Sequence, residues 1–130
     1  MKLINYKEVQ LEDVDVEGAK GTKIRWLISQ KEKAPNFAMR MFELEPGGHT
    51  PYHTHSWEHE VFCLEGEGLF VSEWGERSFK VWDVIYVDPN TDHQFKNNGE
   101  SILRFLCIIP HDKPVKKVVN PFASGRANNC

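Results

Sequence analysis

The stretch His49-Thr-Pro-Tyr-His53-Thr-His55-Ser-Trp-Glu-His59-Glu60 holds four of the six histidines of the chain. Alternate side chains of a β-strand share a face, so in an extended backbone His53, His55 and His59 lie on the same side. A lone histidine in such a strand is most often a hydrogen-bonded core residue. Three buried imidazoles without partners would be costly, whereas divalent cations commonly bind neutral imidazole. We therefore predict a metal site. His49 has the same parity but follows Pro-Gly-Gly, where a turn can break the alternation, so its part in the site stays open.

Strand signals continue on both sides of this stretch, and no long segment has the apolar period of a helix. Alternation through His59-Glu-Val-Phe-Cys-Leu-Glu65 puts Val61 and Cys63 on the histidine face and Phe62 and Leu64 on the opposite face. Short strands separated by Gly, Pro and Asn turns indicate an all-β sandwich or barrel. We predict strands at about residues 21–29, 37–44, 53–65, 68–74, 77–81, 84–88, 92–97 and 101–109, with Glu45-Pro-Gly-Gly ending the second.

Composition excludes several classes of protein. The chain has 130 residues and a net charge of −3, which offers no basic footprint for nucleic acid. No long apolar run suggests a membrane span, and the N-terminal residues lack the apolar region of a signal peptide. Cys63, Cys107 and Cys130 form no CxxC pair, which agrees with free thiols in a reducing compartment. We expect a cytoplasmic protein with no nucleic-acid or membrane partner.

A second cluster lies in Asp88-Pro-Asn-Thr-Asp-His93-Gln-Phe-Lys-Asn97, where a turn delivers a histidine onto a new strand. Alone, His93 would more often be a solvent-facing histidine. Together, however, the patterns Gly47-(x5)-His53-x-His55-(x3)-His59-(x6)-Gly66 and Pro89-(x3)-His93-(x3)-Asn97 resemble the two motifs of the cupin superfamily, at about residues 47–66 and 83–97. The resemblance implies a double-stranded β-helix, or jelly-roll barrel, whose motif histidines point inward to hold a divalent metal.

Two departures from the usual cupin pattern refine this resemblance. His59 stands where most metal cupins have a glutamate ligand, while Glu60 is one residue out of phase and should face away. Asp83 stands where glycine is usual, a change that the turn should tolerate. The chain is therefore similar to the small single-domain cupins with a four-histidine site, a subgroup with a manganese-binding member. The resemblance covers most of residues 6–111 and implies the ligands His53, His55, His59 and His93.

Four neutral imidazoles leave the full positive charge on the ion. Such a site suits Mn, Fe, Co, Ni, Cu or Zn rather than Ca or Mg. We expect one ion per chain, with Mn or Fe favoured by availability in the cell. An octahedral ion would keep two adjacent positions for ligands, whereas a tetrahedral Zn would keep none and would be structural.

The pocket wall is predicted from the same alternation. Trp57, Phe95, Phe105 and Cys107 should face inward with Val61 and Cys63, and the resemblance puts Arg40 and Thr50 near the mouth. Core packing is the alternative for each residue, and it is preferred for Val61 and Cys63. A thiol at Cys107 could be oxidised or control access to the metal. Arg40, flanked by two methionines in an apolar strand, could bind an anion.

The apolar outer residues Phe62, Leu64 and Phe70 suggest a homodimer. We expect one barrel domain over residues 1–112 and a basic tail over residues 113–130 that is extended or disordered.

Three functions remain open, since a fold does not fix a reaction. The first is a metal-dependent oxidoreductase of dioxygenase type acting on a small unsaturated or aromatic substrate. The second is a metal-dependent isomerase or lyase of a small oxygenated substrate. The third is a non-catalytic ligand-binding module with a structural metal. A phosphosugar isomerase would want several Lys, Arg or Tyr residues in the pocket, and only Arg40 offers itself.

Overall fold

Short antiparallel strands make up most of the protein. A computed structural model describes residues 1–111. Two 3-10 turns, Tyr6–Glu8 and Gln30–Glu32, each begin with a side-chain cap from Asn5 and Ser29. The strands are β1 (Glu12–Asp13), β2 (Lys20–Ile28), β3 (Phe37–His49), β4 (His59–Glu65), β5 (Glu67–Ser72), β6 (Gly75–Lys80), β7 (Val84–Val87), β8 (His93–Lys96) and β9 (Leu103–Pro110).

The strands form one curled sheet in the order β6-β5-β8-β3-β9-β4-β7, with β2 beside β3 and β1 beside β2. Strands that are distant in sequence are neighbours in this order, because β9 inserts between β3 and β4 and β8 inserts between β3 and β5. This crossing pattern in a curled antiparallel sheet is the jelly-roll arrangement, so the all-β prediction is confirmed. No helix within residues 1–111 has the length and apolar character needed to cross a membrane.

The core lies on the concave face of the sheet. In β9, Leu103, Phe105, Cys107 and Ile109 are buried while the residues between them are partly exposed. Phe105 stacks on Phe42 with ring centroids 5.4 Å apart and packs at a tilt against Phe95 at 4.7 Å. In β4, His59, Val61 and Cys63 are buried and Phe62 is exposed, as the alternation predicts.

The predicted strand over residues 53–65 was too long. The chain bends at Ser56 and Trp57, and β4 begins only at His59. A single bridge joins His53 to His93. Pro51, which has no backbone N–H to donate, precedes this segment and favours its departure from the ladder. His53 and His55 therefore approach the core from a loop rather than from a strand.

The prediction that Glu45-Pro-Gly-Gly ends a strand was also wrong, because β3 continues to His49. The register between β2 and β3 shifts at this point, which accommodates the irregular backbone. Gly47 has a φ of 84°, and a Cβ on Gly48 would lie 2.8 Å from the carbonyl oxygen of Gly21. The two glycines thus let the strand pass a close neighbour rather than end.

Two further predictions, one on the outer face and one on a turn, differ in outcome. Phe70 was predicted to face outward, but it is only partly exposed and its ring lies 5.3 Å from that of Phe95, because Phe70 and Phe95 pair directly across β5 and β8. Asp83 closes the turn before β7: its carboxylate accepts a hydrogen bond from the backbone N–H of Lys80 at 2.9 Å. The turn therefore tolerates aspartate. The tail predicted for residues 113–130 lies outside the described residues.

Candidate metal centre

The imidazole rings of His53, His55, His59 and His93 gather at one place inside the curled sheet. The centroid separations are 4.2 Å for His53–His55, 5.1 Å for His53–His93, 5.2 Å for His55–His59 and 4.8 Å for His59–His93. Ring nitrogens of His53, His55 and His93 lie within 4.8 Å of one another, and His59 stands outside this group of three. The arrangement can therefore offer a metal ion three converging nitrogens and a fourth ring beside them.

Backbone contacts bring these rings together. His53 donates its N–H to the carbonyl of His93 at 3.1 Å, and His93 donates to the carbonyl of His53 at 2.9 Å. Asn90 donates to the carbonyl of His55, which ties the loop to the turn before β8. His59 begins β4, which pairs with β9. The two motifs thus meet through paired backbone groups.

The orientation of His93 is set by a backbone carbonyl. Its Nδ1 lies 2.8 Å from the carbonyl oxygen of Thr91, which can only accept a hydrogen bond. Nδ1 must therefore carry the proton, and Nε2 keeps its lone pair. Sequence reasoning missed Thr91, although a residue just before a candidate ligand is a natural place to look for such a contact.

The Nε2 atoms of His59 and His93 are buried and have no hydrogen-bond partner among residues 1–111. Burial lowers the pKa of His59 to about 2, and the charges of Arg40 and the neighbouring histidines add to the effect. Burial also lowers the pKa of His93, opposed in part by the Thr91 carbonyl and Asp92. Both imidazoles are therefore neutral near pH 7, the form that binds metals. Buried nitrogens with lone pairs to spare fit a divalent transition metal.

Glu60 and His49 lie apart from this cluster. Glu60 is exposed on the opposite face of β4, as predicted, where a hydrogen bond with the Glu58 side chain raises its pKa. The Nδ1 of His49 lies 3.3 Å from the carbonyl oxygen of Thr50, and His49 is not part of the group of converging nitrogens.

Comparison with known proteins agrees with this architecture. Residues 40–109 match the family model of the cupin domain. The chain belongs to the cupin family. This cupin is 32% identical over 99 residues to an oxalate-binding protein of Thermotoga maritima, covering 73% of the chain and 81% of that protein. It is also 31% identical over 94 residues to a 1-methylthio-D-xylulose 5-phosphate methylsulfurylase of Rhodospirillum rubrum, of which it spans 60%.

A solved structure is similar over nearly the whole cupin. The polyketide cyclase RemF from Streptomyces resistomycificus superposes with a TM-score of 0.82 at 32% identity, covering 95% of this chain and 89% of that one. The jelly-roll fold is thus shared with an experimentally determined structure.

Three predicted pocket residues of this cupin have aromatic surroundings. Trp57 stacks on His55 with ring centroids 4.4 Å apart and planes at 10°. Its indole Nε1 is buried with no hydrogen-bond partner in the described part of the chain. Phe95 and Phe105 are 2% and 1% exposed and pack against each other in the core. Trp57 therefore packs directly on a candidate ligand, while Phe95 lies beside His93 with ring centroids 6.2 Å apart and Phe105 packs against Phe95.

The other three pocket candidates are polar and buried. The Thr50 hydroxyl accepts a hydrogen bond from the backbone N–H of Phe95 at 2.9 Å, which links β8 to the end of β3. Arg40 donates through Nη2 to the sulfur of Cys107 at 2.9 Å. Burial raises the pKa of Cys107, although Arg40 opposes the shift, and a buried thiol of this kind is unreactive. This setting disfavours oxidation of Cys107.

Sequence reasoning missed the residues that surround Arg40. The guanidinium lies 5.6 Å from the ring centroid of Trp26 and 5.0 Å from that of Phe42. Trp26 pairs with Arg40 across β2 and β3, and only the register of these strands brings them together. The sequence carries no local signal for the contact.

Proposed function

We propose that this cupin binds one divalent transition metal through ring nitrogens of His53, His55, His59 and His93. The observation that carries the proposal is the pair of buried Nε2 atoms, on His59 and His93, without hydrogen-bond partners in residues 1–111. A buried polar atom without a partner costs about 1–3 kcal/mol. A bound cation would remove that cost at both rings. Mn or Fe is favoured, and Ni, Zn, Co or Cu would also suit four neutral imidazoles.

The metal proposal is tested by removing one candidate ligand. Protein stripped with a chelator, reloaded with Mn²⁺ or Zn²⁺ and desalted should hold one ion per chain by elemental analysis. His59→Ala should lose most of that metal under the same washing. His49→Ala is the matched control, because His49 is a histidine outside the cluster, and it should keep the wild-type amount. Full metal in His59→Ala would contradict the ligand assignment.

For the reaction, we propose dioxygenase-type turnover of a small unsaturated or aromatic substrate. A redox-active ion held by four histidines would supply electron transfer and open positions for ligands. The protein would supply the neutral ligands, and the aromatic surroundings of Trp57, Phe95 and Phe105 would exclude water and favour an apolar substrate. The rings of Trp57 and Phe95 support the proposal because they lie beside His55 and His93.

A second candidate is a metal-dependent isomerase or lyase of a small oxygenated substrate. The similarity to proteins described as a polyketide cyclase and a methylsulfurylase favours it. A third is a binding module without catalysis, which the similarity to an oxalate-binding protein favours. All three candidates use the same metal site.

One set of assays separates the three. Mn- and Fe-loaded protein is mixed with alkenyl phenols, catechols, diketones and keto acids while oxygen consumption and product formation are followed. Oxygen-dependent turnover supports the dioxygenase. Turnover that persists under argon supports the isomerase or lyase. Absence of turnover combined with calorimetric binding of oxalate, lost in His59→Ala, supports the binding module.

We also propose that the protein is a homodimer and that it works in the cytoplasm. Val84 is 74% exposed, Trp82 67% and Tyr86 54%, and Trp82 lies 5.8 Å from the ring of Phe62 on the same outer surface. Exposed apolar side chains that are contiguous favour association with a second copy. Cys63 and Cys107 are free thiols, which suits a reducing compartment.

A further inference from the structure

Arg40 is a cation in an unusual setting. Its side chain is fully buried, with the guanidinium packed against the rings of Trp26 and Phe42. Nη2 donates to the sulfur of Cys107, while Nε and Nη1 are buried with no partner among residues 1–111. A buried charge is costly unless it is paired or hydrogen-bonded. The Cys107 sulfur is therefore the acceptor that this guanidinium depends on.

The same sulfur contacts the histidine cluster. Cys107 Sγ lies 3.3 Å from Nδ1 of His59. The strand register explains the contact: Arg40 pairs with Cys107 across β3 and β9, Cys107 pairs with Val61 across β9 and β4, and His59 is two residues before Val61 on the same face. Three adjacent strands thus bring a guanidinium, a thiol and an imidazole into successive contact.

The hydrogen-bonding chemistry of these three groups fixes the direction at Arg40, which can only donate, and lets the sulfur accept from His59. Guanidinium has donors and no acceptor, so it cannot accept a hydrogen bond from His59. Sulfur can accept weakly from both neighbours. If the sulfur were absent, the N–H groups of Arg40 and the imidazole would face each other without an acceptor between them. Without that acceptor, the His59 ring would rotate or its proton would shift to Nε2.

We propose that Cys107, held in place by Arg40, is a positioning residue for His59. Its sulfur accepts the Nδ1–H of His59, which keeps the proton off Nε2 and directs the Nε2 lone pair toward the other histidines. Outer partners of this kind orient metal-binding imidazoles and fix their tautomer. The inference rests on the proposed metal site and goes beyond it, because it assigns Cys107 and Arg40 a role in which neither touches metal or substrate.

The test compares substitutions at two buried thiols. Cys107→Ala removes the acceptor, whereas Cys107→Ser replaces it with an oxygen acceptor. Cys63→Ala is the matched control, because Cys63 is equally buried but its sulfur faces the carbonyls of Glu65 and Gly66. Loss of an outer partner typically lowers metal affinity 10- to 100-fold, so we expect about that loss in Cys107→Ala, partial or full rescue in Cys107→Ser, and wild-type affinity in Cys63→Ala.

Two spectroscopic readouts distinguish positioning from a loss of stability. In Co²⁺-loaded protein the visible absorption bands should change in Cys107→Ala and return in Cys107→Ser. In ¹⁵N-histidine NMR of Zn²⁺-loaded wild type, His59 should show a protonated Nδ1 and a non-protonated Nε2. Wild-type affinity together with a wild-type cobalt spectrum in Cys107→Ala would overturn the inference, as would the same loss in Cys63→Ala.

The metal-free protein separates this inference from the metal proposal. If wild type binds no metal, the metal proposal fails, and the tautomer of His59 is still measurable by NMR. A protonated Nδ1 in metal-free wild type that becomes a tautomer mixture in Cys107→Ala supports the positioning role. An unchanged tautomer in the folded Cys107→Ala variant overturns it.

Discussion

Acidification of the metal-free protein should expose the buried state of His59 as a loss of stability. The pKa of His59 falls from 6.5 to about 2 on folding, mainly through burial. The unfolded chain therefore binds a proton at this histidine below pH 6.5, while the folded protein does not. Stability from this group is present above pH 6.5 and declines as the pH falls toward 2.

The size of the effect follows from these two values. The pH 5 condition lies about 1.5 units below the unfolded pKa of 6.5. At 1.36 kcal/mol per unit, protonation of this histidine in the unfolded chain lowers the free energy of unfolding by about 2 kcal/mol relative to pH 7.5. His93 should add to the loss, because burial lowers its pKa as well. His59→Phe keeps a ring in the same place and removes the titrating group, so its stability should fall less over the same pH range by about 2 kcal/mol.

The assay is urea unfolding of chelator-treated protein at pH 7.5 and pH 5, followed by fluorescence, for wild type, His59→Phe and His49→Ala. The last variant controls for the removal of a histidine outside the cluster. An identical decline in wild type and His59→Phe would show that His59 titrates alike in the folded and unfolded states, and the reasoning from its burial would be refuted.

Three further changes test the fold and the assembly. Gly66→Ala should lower the free energy of unfolding in urea by about 3 kcal/mol, because φ is 83° and a Cβ would lie 2.4 Å from the carbonyl oxygen of Ile102. Gly47→Ala, at φ 84° with nothing within 4 Å, should lower it by about 1 kcal/mol. Equal losses would contradict the steric argument. Phe105→Ala should lower stability by about 3–5 kcal/mol by opening a core cavity, and a change under about 1 kcal/mol would mean that the site is not packed as described. Val84→Glu should convert the proposed dimer to a monomer in sedimentation velocity without loss of melting temperature, and an unchanged sedimentation coefficient would contradict the assignment of this surface.

The sequence predicted the strand content and the inward face of most strands, because alternation is a local property. It placed Val61 and Cys63 inward and Glu60 outward, and the burial along β4 agrees. It misjudged residues 53–58, where Pro51 and the bend at Ser56 interrupt the ladder while the odd-numbered side chains still turn inward. Alternating exposure therefore survived in a segment that is not a regular strand.

Contacts between particular residues on different strands could not be predicted from the local sequence. Arg40 and Cys107 were each singled out, yet nothing in their local sequence states that they pair across β3 and β9. The inward position of Phe70 likewise follows from its pairing with Phe95. Register between strands that are distant in the chain depends on the whole sheet, so the approach of four rings could be predicted only through the motif resemblance. Cys107 was expected near the metal, but its contact with His59 in particular was not predicted.

The ligand set is tested most directly by an anomalous difference map from crystals of the protein grown with Mn²⁺, measured near the manganese absorption edge. The account predicts one strong peak per chain, at about 2.0–2.2 Å from ring nitrogens of His53, His55, His59 and His93. Absence of a peak inside the sheet, a peak bonded to Glu60, or His59 turned away from an occupied site would contradict it.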